Sequence, residues 1–160
     1  MMNRIHVAGG VGVAPTEMAA YDAALADANL HNYNLVRVSS IVPAGAAVER
    51  VDRAPDLGPA GNRLTVVESR ITAPPGASDD PLVAGLGWAT GPGPGLFYEA
   101  TGRDPTAVRR ELEDGLDAGS ELRDWALPDR EFEVTTARPE DGAWTTVVTV
   151  AVYGESEPVL

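Results

Sequence analysis

Residues 82–116, LVAGLGWATGPGPGLFYEATGRDPTAVRRELEDGL, decide the fold class, because they contain two apolar segments, a sharp break and a helix start. Segments 82–90 and 95–103 predict two β-strands, and the GPGPG sequence between them predicts a tight turn, so the strands form a hairpin. Asp104 then caps a helix whose first position is Pro105, where the missing N–H costs nothing. A hairpin followed by a helix favours an α+β sandwich rather than a doubly wound parallel sheet.

The segments on the N-terminal side predict a strand, a helix and a second strand. NRIHVAGGVGV (3–13) predicts a short strand followed by a glycine loop, and Thr16 is a good N-cap for a helix over about residues 16–30. YNLVRVSSIV (33–42) predicts the second strand. Pro43 ends that strand, because proline cannot donate a hydrogen bond to the ladder.

The remaining segments complete the expected fold. Residues 43–61 are rich in proline and glycine and predict a long loop, while residues 62–73 predict a strand. REFEVTTAR (130–138) and AWTTVVTVAVYG (143–154) predict a closing hairpin with PEDG as its turn. The sequence has no visible internal repeat, so we expect a single domain over residues 1–160.

The charge of the chain limits its partners, and its apolar segments indicate its location. The 160 residues include 24 acidic and 12 basic side chains, which gives a net charge of −12. This charge repels phosphate backbones and anionic bilayers, so we expect no nucleic-acid or membrane partner, whereas a cationic small molecule is favoured. No apolar run approaches the roughly 18 residues of a membrane span, and the N-terminus lacks the apolar centre of a secretory signal. A cytoplasmic location is therefore expected.

Two residue types are missing, and their absence excludes several chemistries. Without lysine there is no Schiff base to pyridoxal phosphate and no phosphate-loop lysine, and without cysteine there are no thiol nucleophiles, disulfides or thiolate metal sites. His6 and His31 are too few for a multi-histidine centre, so no metal is expected. An acidic, lysine-free chain suggests adaptation to a salty cytoplasm, although a GC-rich genome also exchanges lysine for arginine.

Two adjacent serines, Ser39 and Ser40, stand near the end of the second predicted strand. Taken alone, the pair is more simply explained as strand-end filler, because serine is common there and short motifs have many false matches. The surrounding sequence changes that interpretation.

The sequence around the serines, YDAALADANLHNYNLVRVSSIVPAG (21–45), resembles the pyruvoyl-dependent arginine decarboxylases. In that family a helix with an Asp, and a Leu three residues later, precedes an NLVxVSSIxP strand in which the chain cuts itself between the two serines. GLFYEATGRD (95–104) resembles a second signature of the family, which contains a Glu. The matching residues in this chain are Asp22, Leu25, Asn34, Ser39, Ser40 and Glu99.

The resemblance implies an architecture and a prosthetic group. It implies a four-layer αββα sandwich assembled as a trimer, with active sites between subunits and each protomer cut into chains 1–39 and 40–160. The Ser40 hydroxyl can reach the Ser39 carbonyl through a five-membered ring and replace the amide by an ester. Elimination and hydrolysis then leave a pyruvoyl group at position 40. A carbonyl made from serine explains how a chain without lysine performs amine chemistry.

Glu99 is the candidate proton donor of the reaction that the resemblance implies. Decarboxylation leaves electrons on the α-carbon of the substrate, and a positioned acid must afterwards return a proton to that carbon. GLFYEAT is otherwise apolar, so desolvation should raise the pKa of Glu99 and favour its protonated form. From the residues alone, a solvent-facing strand position or an ion pair with an arginine explains Glu99 equally well.

Three further residues gain possible roles. An even six-residue spacing places Asn34 on the same strand face as Ser40, where its amide can bond to the scissile carbonyl or to the substrate carboxylate. Asp22 and Leu25 share a helix face, and resemblance implies that they recognise the guanidinium and aliphatic stem of arginine. Without the resemblance, Asn34 is as easily a turn residue and Asp22 a solvated surface charge.

The residues and the resemblance together predict a self-processing enzyme that decarboxylates L-arginine to agmatine and CO2 for polyamine biosynthesis. Three alternatives stay open: a pyruvoyl decarboxylase of another amino acid such as histidine, a non-catalytic oligomeric binding module whose serines never cleave, and a serine hydrolase. The last needs a histidine-based triad, and neither histidine has a convincing nucleophile setting.

Overall fold

The structure, a computed structural model, describes residues 3–160 and contains two helices and nine strands in that part of the chain. In chain order these are β1 (Arg4–Ala14), α1 (Glu17–Asp27), β2 (Asn34–Arg37), β3 (Ile41–Val42), β4 (Ala47–Arg50), β5 (Arg63–Ala73), β6 (Leu82–Thr90), β7 (Gly95–Gly102), α2 (Pro105–Glu121), β8 (Asp129–Ala137) and β9 (Trp144–Tyr153). Neither helix within residues 3–160 combines the length and the apolar character that a membrane crossing requires.

The strands form two sheets. The five-stranded sheet has the order β2-β5-β9-β1-β4, with a parallel pair at each edge. The four-stranded sheet has the order β3-β7-β6-β8, and its pairs are antiparallel. α1 packs on β1 and β9 of the larger sheet, and α2 packs on β7 and β6 of the smaller one. The α+β class predicted from the hairpin and the helix is confirmed.

Apolar side chains and hydroxyl groups share the space between the sheets. Ser69 Oγ of β5 donates to Ala100 O of β7 at 3.0 Å, and Thr149 Oγ1 of β9 donates to Ala84 O of β6 at 2.8 Å. Both hydroxyls are buried, so these bonds fix one sheet relative to the other. One apolar cluster with members from both sheets consists of Ile5, Val7, Val42, Val67, Leu86, Trp88, Phe97 and Ala151.

Both helices begin where the sequence predicts. Thr16 Oγ1 accepts a hydrogen bond from Ala19 N at 3.2 Å, and Asp104 Oδ1 accepts one from Thr106 N at 3.0 Å. Each cap satisfies a backbone donor that the first helical turn leaves unpaired. The buried side of α2 consists of Val108, Leu112, Leu116 and Gly119.

The glycine loop predicted after the first strand is wrong, because β1 is one uninterrupted strand. α1 lies directly on the glycines of this strand, and a Cβ on Gly10 or Gly12 would collide with the backbone carbonyl oxygens of Ala24 or Ala20. Glycine stands here because the helix and the strand approach closely, and the chain does not turn.

The closing hairpin predicted over residues 130–154 is also wrong, although both of its strands exist. β8 pairs with β6 in the four-stranded sheet, whereas β9 lies between β5 and β1 in the five-stranded sheet. Residues 138–143 therefore carry the chain from one sheet to the other. Apolar alternation predicts a strand, but it does not choose the partner of that strand.

Two further predictions need correction in the first half of the chain. The strand predicted over residues 33–42 is two strands, β2 and β3, which belong to different sheets. The loop predicted at residues 43–61 contains β4, which pairs in parallel with β1. The first correction matters for the site, because the two serines lie at the break.

Candidate active site

Ser39 and Ser40 lie where the chain passes from the five-stranded sheet to the four-stranded sheet. Before them, Val38 N donates to Val66 O of β5 at 2.9 Å. After them, Phe97 N of β7 donates to Ser40 O at 2.7 Å. Ser39 is exposed and Ser40 is half-buried. The peptide between the serines is therefore an accessible link that is held at both ends.

The register of β3 on β7 relates the position of Ser40 to that of Glu99. Ile41 pairs with Leu96, and the hydrogen bond from Phe97 N to Ser40 O continues that pairing by one residue. Glu99 lies two residues further along β7, and strand alternation places its side chain on the same face as that of Phe97. The predicted precursor is thus in register with Phe97, two residues along β7 from the predicted proton donor.

Tyr153 supports the strand that follows the serines. Its hydroxyl donates to Ile41 O at 2.8 Å, and its ring lies beside Phe97 with 6.1 Å between the ring centroids. Burial raises the pKa of Tyr153 to about 12, so the hydroxyl keeps its proton and donates at neutral pH. These contacts fix the chain on the C-terminal side of Ser40.

A polar pocket of about 530 Å³ opens beside Glu99, where β5 of one sheet faces β7 of the other. The hydrogen bond from Ser69 Oγ to Ala100 O lies in its wall. Carboxylates and guanidinium groups occur together here, and this combination suits an amino acid, which brings both charges. The lining consists of Arg37, Glu68, Ser69, Arg70, Glu99, Ala100, Thr101 and Glu111.

Glu68 is a buried carboxylate with a partner on each oxygen. Its side chain is 2% exposed. Oε2 accepts a hydrogen bond from Tyr21 OH at 2.6 Å, and Oε1 forms a salt bridge with Arg37 Nε at 3.0 Å. The Arg70 guanidinium carbon lies 4.1 Å from the centroid of the Tyr21 ring. Side chains from α1, β2 and β5 are thereby joined at the rim of the pocket.

The pKa of Glu99 is raised above its ordinary value. Desolvation is the main cause, the negative charge of Glu68 adds to it, and the positive charge of Arg37 opposes both. Glu99 is exposed where it lines the pocket. A carboxyl group with a raised pKa and an open approach has the properties that a general acid needs.

Of the predicted site residues, Glu99 alone lines this pocket, and neither Ser39 nor Ser40 does. Asp22 is exposed on α1, whereas Leu25 packs in the core beneath that helix and is 7% exposed, so the two side chains do not share a surface. Asn34 stands at the start of β2, and its Nδ2 donates to Gly61 O at 2.7 Å. The prediction that Asn34 and Ser40 share a strand face is wrong, because β2 ends before the serines.

Comparison with known proteins identifies the family. The sequence matches the family described as pyruvoyl-dependent arginine decarboxylase over residues 4–158. The chain belongs to this family. The pyruvoyl-dependent arginine decarboxylase of Halobacterium salinarum is 54% identical over 99% of this chain and 98% of its own length.

More distant proteins of the same name are similar over at least three quarters of the chain. The pyruvoyl-dependent arginine decarboxylase of Methanopyrus kandleri is 30% identical over 90% of this chain and 91% of its own length. That of Pyrococcus horikoshii is 33% identical over 76% of this chain and 75% of its own length. The match to the pyruvoyl-dependent arginine decarboxylase family therefore extends well beyond the serine motif.

The serine pair fits the precursor of the group that gives the family its name. The Ser40 carbonyl is already held by Phe97 N, and the neighbouring peptide lies outside the regular strands, where its geometry can change without breaking a ladder. Ser40 contributes the nitrogen of the Ser39–Ser40 peptide and also carries a hydroxyl, which is the arrangement that an amide-to-ester rearrangement requires. The pocket beside Glu99 leaves room for a small ligand.

Two residues that line the pocket, Arg37 and Glu68, and Tyr21, which bonds to Glu68, carry no strong sequence signal. In VVESR the glutamate resembles an ordinary outward-facing strand residue. Its partners lie 47 and 31 residues away along the chain, so their convergence depends on the tertiary structure. The one available hint is that Glu68 directly follows the apolar pair Val66 and Val67 in a predicted strand, since a charge that becomes buried usually has a partner.

Proposed function

We propose that this protein is a self-processing, pyruvoyl-dependent decarboxylase that converts L-arginine to agmatine and CO2 in polyamine biosynthesis in the cytoplasm. The observation that carries the proposal is the position of the Ser39–Ser40 peptide. It links the two sheets two residues after Arg37, which lines the same pocket as Glu99, in a chain of this family. Cleavage divides the protomer into chains 1–39 and 40–160.

Ser40 supplies both the attacking hydroxyl and the future prosthetic group. Its Oγ attacks the carbonyl carbon of Ser39, and the amide becomes an ester as the bond to the Ser40 nitrogen breaks. Loss of the Ser40 α-proton and of the ester oxygen then releases Ser39 as a carboxylate and leaves dehydroalanine. Hydrolysis releases ammonia and leaves the pyruvoyl group. The hydrogen bond from Phe97 N supports these steps because it holds residue 40 on β7.

Glu99 serves the decarboxylation as proton donor. The pyruvoyl group supplies a ketone that binds the substrate amine and withdraws electrons from the α-carbon. Because desolvation raises the pKa of Glu99, its carboxyl group favours the protonated form and can deliver that proton to the α-carbon after CO2 has left. The bond between Ser69 Oγ and Ala100 O supports the site by keeping β5 and β7 together.

We further propose that the protomers, as four-layer αββα sandwiches, form a trimer with the active sites between subunits. Large apolar side chains flank the serines and are exposed in the protomer: Val36 by 46%, Val38 by 40% and Ile41 by 38%. Apolar groups clustered along one segment favour a protein interface. A neighbouring subunit would cover them and desolvate the site.

The same arrangement gives the remaining predicted residues a role. Asp22 is exposed but lies outside the pocket lining of its own protomer, so it would reach the substrate guanidinium across the interface. Leu25 supports Asp22 indirectly, because it anchors α1 in the core. Asn34 would approach the scissile carbonyl or the substrate carboxylate from the neighbouring subunit, and its bond to Gly61 O orients its amide.

A substrate panel tests the proposed reaction. CO2 release from L-arginine, L-histidine, L-lysine and L-ornithine is measured with fully processed protein, and we expect arginine to be strongly preferred. Borohydride reduction with labelled arginine should attach the label to chain 40–160, and an unprocessed Ser40→Ala protein is the control that should take up none. Preference for histidine would show another pyruvoyl decarboxylase, and processed protein that decarboxylates no amino acid would contradict the proposal.

A further inference from the structure

The Arg37 guanidinium lies in a pocket with two candidate carboxyl partners but pairs with one of them. Both Glu68 and Glu99 line the pocket that Arg37 lines. Arg37 Nε is 3.0 Å from Glu68 Oε1. Within residues 3–160, Arg37 forms no other ion pair and Glu99 forms none. An arginine beside an unpaired carboxyl group requires a physical reason, because the two charges attract.

Burial of Glu68 supplies that reason. The Glu68 side chain is 2% exposed, whereas that of Arg37 is 59% exposed. A buried carboxylate that lost its cation would be left with an uncompensated charge, which is costly. The hydroxyl of Tyr21 holds the other oxygen of Glu68 at 2.6 Å and so fixes the carboxylate in the orientation that receives Arg37.

We propose that Glu68 is a positioning residue that holds Arg37 away from Glu99, so that Glu99 keeps no cationic partner and can carry a proton. The proposal rests on the proposed function, in which Glu99 donates a proton to the substrate. Tyr21 acts with Glu68, because it anchors the carboxylate from α1.

Several charged groups face Glu99 from the neighbouring elements, and they predict the outcome of substitution. β2 contributes Arg37, β5 contributes Glu68 and Arg70, and α2 contributes Glu111. The charge of Glu68 raises the pKa of Glu99, and the charge of Arg37 lowers it. Loss of the Glu68 charge would therefore remove a repulsion and also free a guanidinium to pair with Glu99, and both changes favour the ionised form.

The proposal is tested on unprocessed Ser40→Ala protein, so that the result does not depend on enzyme activity. The pKa of the Glu99 carboxyl is measured by 13C NMR, with the signal assigned by its loss in Glu99→Gln. In Glu68→Gln we expect this pKa to fall by about 1 unit. In the double variant Glu68→Gln/Arg37→Gln the competing cation is absent, so the pKa should return most of the way to the parent value.

Glu157→Gln is the matched control. Glu157 forms a salt bridge with Arg63 of β5 at 3.0 Å, the same distance as in the Arg37–Glu68 pair, but it does not line the pocket. The substitution deprives one arginine of its carboxylate partner and should leave the pKa of Glu99 unchanged. An unchanged or raised pKa in Glu68→Gln, or a double variant with the same low pKa as the single one, would overturn the proposal.

Processed enzymes separate this proposal from the proposed function. In Glu68→Gln the alkaline limb of the kcat profile for agmatine formation should move to lower pH by the same amount as the pKa of Glu99, and the double variant should restore it. A shift in the pKa of Glu99 without a shift in the profile would contradict the role of Glu99 as donor, while the positioning by Glu68 would stand. Far-UV circular dichroism checks that each variant is folded.

Discussion

Substitution of Ser69 by Ala removes the hydroxyl that joins the two sheets at the pocket wall. Ser69 is 2% exposed, and its Oγ donates to Ala100 O at 3.0 Å. The substitution leaves a buried carbonyl without this donor, which should cost about 1–3 kcal/mol of unfolding free energy. For a chain of this size, Tm should fall by about 2–4 °C for each kcal/mol. Because β5 carries Glu68 and β7 carries Glu99, a looser contact should also lower kcat for agmatine formation.

Thr72→Val is the matched control for Ser69→Ala. Thr72 lies on the opposite face of β5, and its Oγ1 is 2.8 Å from Thr146 Oγ1 of β9 in the same sheet. This control also leaves a buried hydroxyl unpaired, so it should lower Tm similarly but leave kcat unchanged. Tm is measured in the Ser40→Ala background, where each molecule is one chain, and kcat in processed protein. Full kcat in Ser69→Ala, or an unchanged Tm, would refute the role of this bond in the site.

Three further predictions concern the serine link, the acid and the substrate. The pKa of Glu99 is higher in the folded protein than in the unfolded chain, so the unfolded chain loses this proton first as the pH rises. Ionisation of Glu99 therefore destabilises the fold at pH values above the pKa that Glu99 has in the unfolded chain. Glu99→Gln should therefore raise Tm more at pH 7 than at pH 4, while kcat falls about 100- to 10,000-fold, and an equal Tm change at both pH values would argue against the raised pKa. Tyr153→Phe removes the hydrogen bond to Ile41 O, worth about 1 kcal/mol, and should slow cleavage in a gel time course by about fivefold; an unchanged rate would show that this bond does not hold the link. Asp22→Asn should lower kcat/KM for arginine about 10- to 100-fold with cleavage unaffected, because a charge-assisted bond to the guanidinium is lost, and unchanged kinetics would remove Asp22 from the site.

The features that the sequence predicts correctly depend on local chemistry. α2 begins at Pro105 because the Asp104 cap and the proline are adjacent in the chain, and the turn between β6 and β7 follows from GPGPG. The raised pKa of Glu99 was expected from its apolar neighbours in sequence. Its direction agrees with the structure, although Glu68 and Arg37 also contribute.

The features that the sequence does not predict depend on contacts between distant segments. The glycines of β1 signalled a loop, since nothing in the local pattern reveals that α1 would pack onto Gly10 and Gly12. β8 and β9 pair with strands of different sheets, and apolar alternation does not indicate which partner a strand takes. The break between β2 and β3 is hidden for the same reason, because NLVRVSSIV has the composition of one continuous strand.

The intact mass of the purified protein, before and after incubation at high salt, tests the central claim most directly. Rearrangement at Ser40 predicts two chains, residues 1–39 and residues 40–160, with a pyruvoyl group in place of the amino group at the start of the longer one. Ser40→Ala protein should give one chain and form no agmatine. A single uncut chain that forms agmatine, or a Ser40→Ala protein that keeps full activity, would contradict the claim.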